Sequence, residues 1–197
     1  MTNVTRTSLF LCLAMMSSGM PLSGTAWAEQ APPCSDQTIG ISCVVMRDTV
    51  GDWQLEEVKP PVGSQNSLVA FVESFQEMPG LFNRPRRAEL VLSCIENTTN
   101  IQFRFGENYM SDVGEYGTLI YKLDDQAPVP LQLQASPDND ALGLYTGGAA
   151  IPVINQLIGA DRLFVSATTF TGRPMTASFQ IADMEEALIP LRELCNW

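Results

Sequence analysis

Apolar and polar residues alternate in short runs along this chain, most plainly in its last third. Leu163, Val165, Ala167 and Thr169, then Met175, Ala177, Phe179 and Ile181, take every second position, the period of half-buried strands. Thr171-Gly172-Arg173-Pro174 stands between the two runs and predicts a hairpin. The period then changes. Ala187, Leu188, Leu191, Leu194 and Cys195 recur at helical spacing behind Asp183, an N-cap residue type, with Glu185 and Glu186 in the first turn. A helix over about 183–195 follows, ending at Cys195 and Trp197.

The same pattern runs upstream. Strands are predicted at Asp52–Val58, Ser67–Phe75, Ala88–Cys94, Asn100–Phe105, Tyr116–Leu123, Val129–Ala135 and Ala141–Tyr145. Glu96-Asn97-Thr98-Thr99 and Asp124-Asp125-Gln126-Ala127-Pro128 supply turns, and Met78–Arg87, with Pro79, Gly80 and Pro85, reads as a loop. Gly147 and Gly148 open a second helix over about 149–161, with Ile151, Val153, Ile154, Leu157 and Ile158 as its apolar face and Pro152 tolerated in the first turn. Many short antiparallel strands with two helices predict a mainly β domain, an antiparallel β-sandwich-like or curled sheet whose helices cover an edge or open end. Trp53 and Trp197 are expected to pack in its core.

The first 28 residues follow another logic. Arg6, the apolar run Leu9–Met16 and the A-x-A site Ala26-Trp27-Ala28 form an export-signal pattern, too short for a membrane span. Cys12 raises a lipid anchor as the alternative, but the bulky Phe10-Leu11 before it disfavours that. Cleavage would leave an exported product starting at Glu29, periplasmic and without a stable membrane anchor. Residues 29–51 are an N-terminal disulfide segment, and the domain proper spans 52–197.

Charge and cysteines narrow the chemistry. Eleven basic residues against 22 acids give a net charge of −11, unsuited to nucleic acid or anionic membranes. The leader would take Cys12 with it, leaving Cys34, Cys43, Cys94 and Cys195, and four cysteines in an exported chain imply disulfides with three possible pairings. Loop closure makes Cys34–Cys43 easy and leaves Cys94 and Cys195 as partners, stapling the last helix to a central strand. With no CxxC spacing and no histidine, zinc is a weak rival.

Catalysis finds little to use. The absence of histidine removes Ser–His and Cys–His chemistry, and oxidised cysteines leave no thiolate. Asp124-Asp125 and Glu56-Glu57 are better explained as a solvated turn and strand faces than as a glycosidase pair. Asp138-Asn139-Asp140 lacks the rest of a calcium loop. Neither catalytic residues, a metal site nor a cofactor is expected. One cluster suggests contact: Arg84, Arg86 and Arg87 beside Leu81 and Phe82, a basic and apolar stretch on an acidic protein.

Several segments together resemble a known family. These are Gly51-Asp52-Trp53, LVLSC at 90–94 with Asn97-Thr98-Thr99, Tyr121-Lys122-Leu123-Asp124, IPVINQLIGADRL at 151–163, Pro174-x-Thr176-Ala177-x-Phe179 and the tail LIPLRELCNW at 188–197. The chain resembles the type VI secretion-associated VasI/TagO proteins, with Lys122 where the family pattern has arginine. The resemblance implies a periplasmic, non-enzymatic accessory that contacts an envelope or secretion-apparatus protein. A stand-alone periplasmic binding module for a small ligand or cell-wall fragment is the alternative, and it would require an aromatic-lined pocket.

Overall fold

The structure, a computed structural model, describes residues 33–34, 42–60, 65–80 and 84–197. The leader pattern, Leu81 and Phe82 lie outside the described residues. Two antiparallel sheets carry the fold. The larger has the order β1 (Cys43–Val50), β2 (Trp53–Lys59), β3 (Ser67–Pro79), β4 (Pro85–Ile95), β5 (Thr98–Phe105), β9 (Ala141–Leu144) and β8 (Gln134–Ala135). The smaller runs β11 (Pro174–Gln180), β10 (Arg162–Thr168), β6 (Thr118–Leu123) and β7 (Val129–Gln132).

Alternation decides which side chains meet. Leu90, Leu92, Ile101 and Phe103 from the first sheet share one core with Leu119, Leu163, Val165 and Phe179 from the second. This matches the mainly β, sandwich-like architecture read from the pattern. The predicted terminal hairpin has the register Leu163↔Phe179 and Val165↔Ala177, and Gly172 at φ +80° makes its turn. The β4–β5 turn is tighter than expected. Glu96 and Asn97 both have positive φ, the two-residue geometry matched to strand twist.

Both helices are present but differ at their ends. α1 spans Gly147–Leu157 and stops short of 161, with Gly159 at φ +86° just beyond. The C-terminal helix comes in two pieces, α2 (Met184–Ala187) and α3 (Ile189–Cys195). Pro190 at the start of α3 has no N–H to continue the ladder. Asp183 occupies the N-cap position without a side-chain capping bond. The expected apolar stripe is buried at Ala187, Leu188, Leu191 and Cys195. Trp53 is buried; Trp197 is half-buried, with the Arg192 guanidinium 4.9 Å from its ring centre.

Three segments differ from their predicted form. Val129–Ala135, predicted as one strand, is divided between β7 of the smaller sheet and β8 of the larger. Residues 43–50, placed in the N-terminal disulfide segment ahead of the domain, form edge strand β1 against β2, and Arg47 pairs with Glu56 at 2.8 Å. Only one flank of an edge strand is covered, so Met46–Thr49 carry no apolar alternation to reveal it. Within the stretch 78–87, read as a loop, residues 78–79 and 85–87 are strand: β3 continues to Pro79 and β4 begins at Pro85, paired as Glu77↔Arg87, Met78↔Arg86 and Pro79↔Pro85. Its prolines sit at strand ends, where no ladder bond is lost.

Both cysteine pairs are bonded as loop closure suggested, Cys34–Cys43 and Cys94–Cys195. The first holds Pro33 and Cys34 against β1, where Cys34 N–H donates to the Val44 carbonyl at 3.0 Å.

Candidate interaction surface

A break in β3 shapes the main surface feature. Pairing between β3 and β4 shifts between Glu73 and Glu77, and the buried Ser74 organises the shift. Its hydroxyl donates to the Gln76 carbonyl at 2.7 Å and accepts from the Ala88 N–H at 2.9 Å. The bulge turns Gln76 toward the other sheet, where its Oε1 accepts from the Ser178 hydroxyl at 2.8 Å. The end of β3 therefore leans across β11.

Between that end and the outward face of the smaller sheet runs a groove of about 600 Å³. Met78 and Pro79 form one bank; Ile120, Phe164 and Met175 contribute to the rest. Outward positions of a strand should be polar, yet Ile120 is 47% and Phe164 38% exposed. Lys122 Nζ lies 5.5 Å from the centre of the Phe164 ring, and Arg162 approaches the exposed Phe75 ring at 5.9 Å. Apolar rings under cations thus mark this face of an acidic protein.

Of the predicted contact cluster, Arg84, Arg86 and Arg87 do not line the groove; Arg86 and Arg87 lie on β4 across from Met78 and Glu77, which do, and their charges are partly committed. Arg86 donates to Glu107 at 3.1 Å. Arg87 lies 3.9 Å from Glu73 and donates to the carbonyls of Ser74 and Phe75, so it stitches the bulge from outside. Arg84 is exposed. The sequence missed Ile120 and Phe164 as surface residues. The signal was available in TLIYKL and RLFVSAT, where large apolar residues fill both faces of a strand rather than one.

The other sequence candidates have structural duties. Asp124, at φ +44°, accepts the Arg162 N–H at 2.8 Å and the Asp161 N–H at 3.3 Å, fixing the start of β10. Glu56 pairs with Arg47, and Glu57 accepts from Asn66 at 2.7 Å. No group of three or more His, Cys, Asp or Glu fit for a metal occurs among the described residues.

A polar network lies on the opposite side, on the outward face of β4, β5 and β9. Arg104 sits between Glu89 at 3.8 Å and Asp140 at 3.6 Å. Burial pushes the Glu89 carboxyl above its ordinary value, against the pull of Arg104, and lowers Arg104 in turn. Burial and the nearby Asp140 carboxylate raise the Tyr145 phenol to about 12. Gly143 makes room for that ring: a Cβ there would come within 3.0 Å of Tyr145 Cζ.

Comparison with known families decides the affiliation. Residues 63–197 match the family described as Type VI secretion system VasI, EvfG, VC_A0118. The chain belongs to the VasI family. The matched region begins before β3 and takes in both sheets from there to the terminal helix, including the groove and Cys94–Cys195. No curated protein matches the chain. Among solved structures, invasion associated protein b from Bartonella henselae is similar at 12% identity and a TM-score of 0.47, covering 77% of this chain and 99% of that one. No helix among the described residues is long and apolar enough to cross a membrane.

Proposed function

We propose that this VasI-family chain is a periplasmic, non-enzymatic accessory of a type VI secretion machine. It acts by docking an envelope or secretion-apparatus protein in the groove beside the β3–β4 hairpin. The observation that carries this is the exposed pair Ile120 and Phe164 at the groove, on a chain of net charge −11. Apolar anchors in a shallow concavity with charged margins are what a protein partner buries first. The A-x-A leader pattern and the two disulfides support export to an oxidising compartment. The lack of histidine and the commitment of all four bonded cysteines support a role without catalysis.

The test is complementation. In a host that secretes through this machine and lacks the protein, the wild type should restore secreted-protein release. Ile120→Glu/Phe164→Glu, which alters only outward positions, should fold with unchanged far-UV CD yet fail to restore it. Full restoration by the variant removes the groove from the reading. Normal release in the deletion strain removes the accessory role.

One observation favours the alternative of a binding module. Tyr109 and Phe170 are exposed and meet edge-to-face at 5.6 Å, with Tyr116 at 6.1 Å from Phe170. Such a platform suits the apolar faces of a cell-wall sugar. Saturable fluorescence changes with soluble cell-wall fragments, lost in Tyr109→Ala/Phe170→Ala, would favour it; their absence leaves protein docking.

A further inference from the structure

The strands of the smaller sheet, β6, β7, β10 and β11, contain no aspartate or glutamate. The chain has 22 acids, and those that its strands carry, Asp48, Glu56, Glu57, Glu73, Glu77 and Glu89, all lie in the larger sheet. β6 and β10 bury their odd-numbered residues, so Ile120, Lys122, Arg162 and Phe164 all point outward. Register sets Lys122, Phe164 and Ser178 side by side across β6, β10 and β11, with Ile120, Ser166 and Thr176 in the next row. Every one of these six lines the groove, and Arg162 stands beside it.

The basic residues of this sheet are Lys122 and Arg162. Among the described residues, neither has a carboxylate within ion-pair distance. Each lies instead by an aromatic ring, Lys122 Nζ at 5.5 Å from the centre of Phe164 and Arg162 at 5.9 Å from that of Phe75. A ring holds a cation in place but leaves its charge uncompensated and its N–H donors free for an acceptor. Acids stand at the margins of the face. Asp124 accepts the backbone N–H groups of Asp161 and Arg162 at the strand ends, and Glu77, on the groove's bank, is opposite Arg87. An acid-free, apolar floor with two uncompensated cations is complementary to carboxylates that arrive together with apolar groups. A polyanion such as nucleic acid or an anionic membrane needs many cations and meets the repulsion of a chain at −11.

We propose that the groove takes a partner protein segment in which apolar side chains stand next to carboxylates. The apolar groups cover Ile120 and Phe164, and the carboxylates pair with Lys122 and Arg162. This assignment rests on the docking role proposed above and adds the chemistry of the docked segment.

The probe is a short end-capped peptide alternating leucine with glutamate, titrated into the full protein with both disulfides formed and followed by 1H–15N correlation spectra. Saturable shifts are expected at the Ile120, Phe164, Ser166 and Thr176 backbone amides. The counterpart alternating leucine with lysine should bind roughly tenfold more weakly, the worth of two exposed ion pairs, and the difference should shrink between about 50 and 500 mM salt. Lys122→Glu/Arg162→Glu, which changes only outward positions, should keep its far-UV CD and reverse the preference. No saturable shifts with the glutamate peptide up to about 5 mM, or equal affinity for the two peptides, overturns the proposal. Phosphatidylglycerol vesicles should leave the spectrum unchanged; shifts at this face from vesicles and none from the peptide make it a lipid surface and overturn the proposal as well. Complementation separates this assignment from the docking role. If Ile120→Glu/Phe164→Glu fails to restore release while Lys122→Glu/Arg162→Glu restores it in full, docking stands and the acidic segment falls. Full restoration by both variants removes docking itself.

Discussion

Cys94, buried in the middle of the larger sheet, is bonded to Cys195 in the last turn of α3, 101 residues away in sequence. That bond ties the C-terminal helix to the central strand it packs on, across a loop containing the whole smaller sheet. Cross-linking so distant a pair restricts the unfolded chain strongly, by roughly 2–5 kcal/mol. Cys94→Ser/Cys195→Ser should therefore lower the melting temperature by roughly 5–15 °C. Differential scanning calorimetry checks this, and non-reducing peptide mapping should recover the Cys94 and Cys195 peptides linked in the wild type.

The Ser74 hydroxyl gives a second, sharper prediction. It satisfies the Gln76 carbonyl and the Ala88 N–H inside the bulge. Ser74→Ala leaves both groups short of a partner at a fully buried site, at a cost of roughly 2–4 kcal/mol. Urea denaturation should show the midpoint falling at unchanged slope. A loss below about 0.5 kcal/mol would mean that the bulge does not depend on this hydroxyl.

How much of this was legible in the chain depends on what each segment buries. The Leu163–Ile181 hairpin was, because one face of each strand enters the core and the turn between them holds a glycine. The disulfide pairing followed from loop length. Residues 43–50 were not legible, since an edge strand shows little alternation. The loop assigned to 78–87 failed because Pro79 and Pro85 signal turns equally well at strand ends. The groove depends on the bulge at Ser74 bringing β3 onto β11, a contact between residues about a hundred positions apart that no local pattern encodes. Asn100 and Arg104 read only as the polar half of a strand. Their burial comes from the turn at Ser136–Asp140 and from Tyr145 beside Gly143.

Gly51 and Asp183 predict a coupled pair. Gly51 takes φ +56° in the β1–β2 turn, and a Cβ there would collide with the Asp183 carboxylate. Gly51→Ala carries two penalties: a left-handed backbone for an L-residue, about 1 kcal/mol, and the collision. Asp183→Ala removes the second and, lacking a capping bond, should itself cost little. A double-mutant cycle by urea denaturation should therefore show the paired substitution less damaging than Gly51→Ala alone. Strict additivity would mean the carboxylate swings away freely.

Tyr145 supplies the pH-dependent prediction. Its folded phenol holds its proton up to about 12, above the ordinary 10.0 of an unfolded chain. The sign follows from linkage. A raised folded value means the native state binds the proton more tightly, so this contribution to stability is complete below pH 10 and disappears as pH rises toward 12. Between those values the wild type should lose stability faster than Tyr145→Phe, whose ring cannot ionise. Melting temperatures measured across that window should converge or cross as pH rises, whereas parallel curves would show that the phenol titrates normally. Absorbance near 295 nm offers an independent reading. Wild type should show one late phenolate transition that Tyr145→Phe lacks, and Asp140→Asn, which removes a neighbouring negative charge, should move that transition to lower pH.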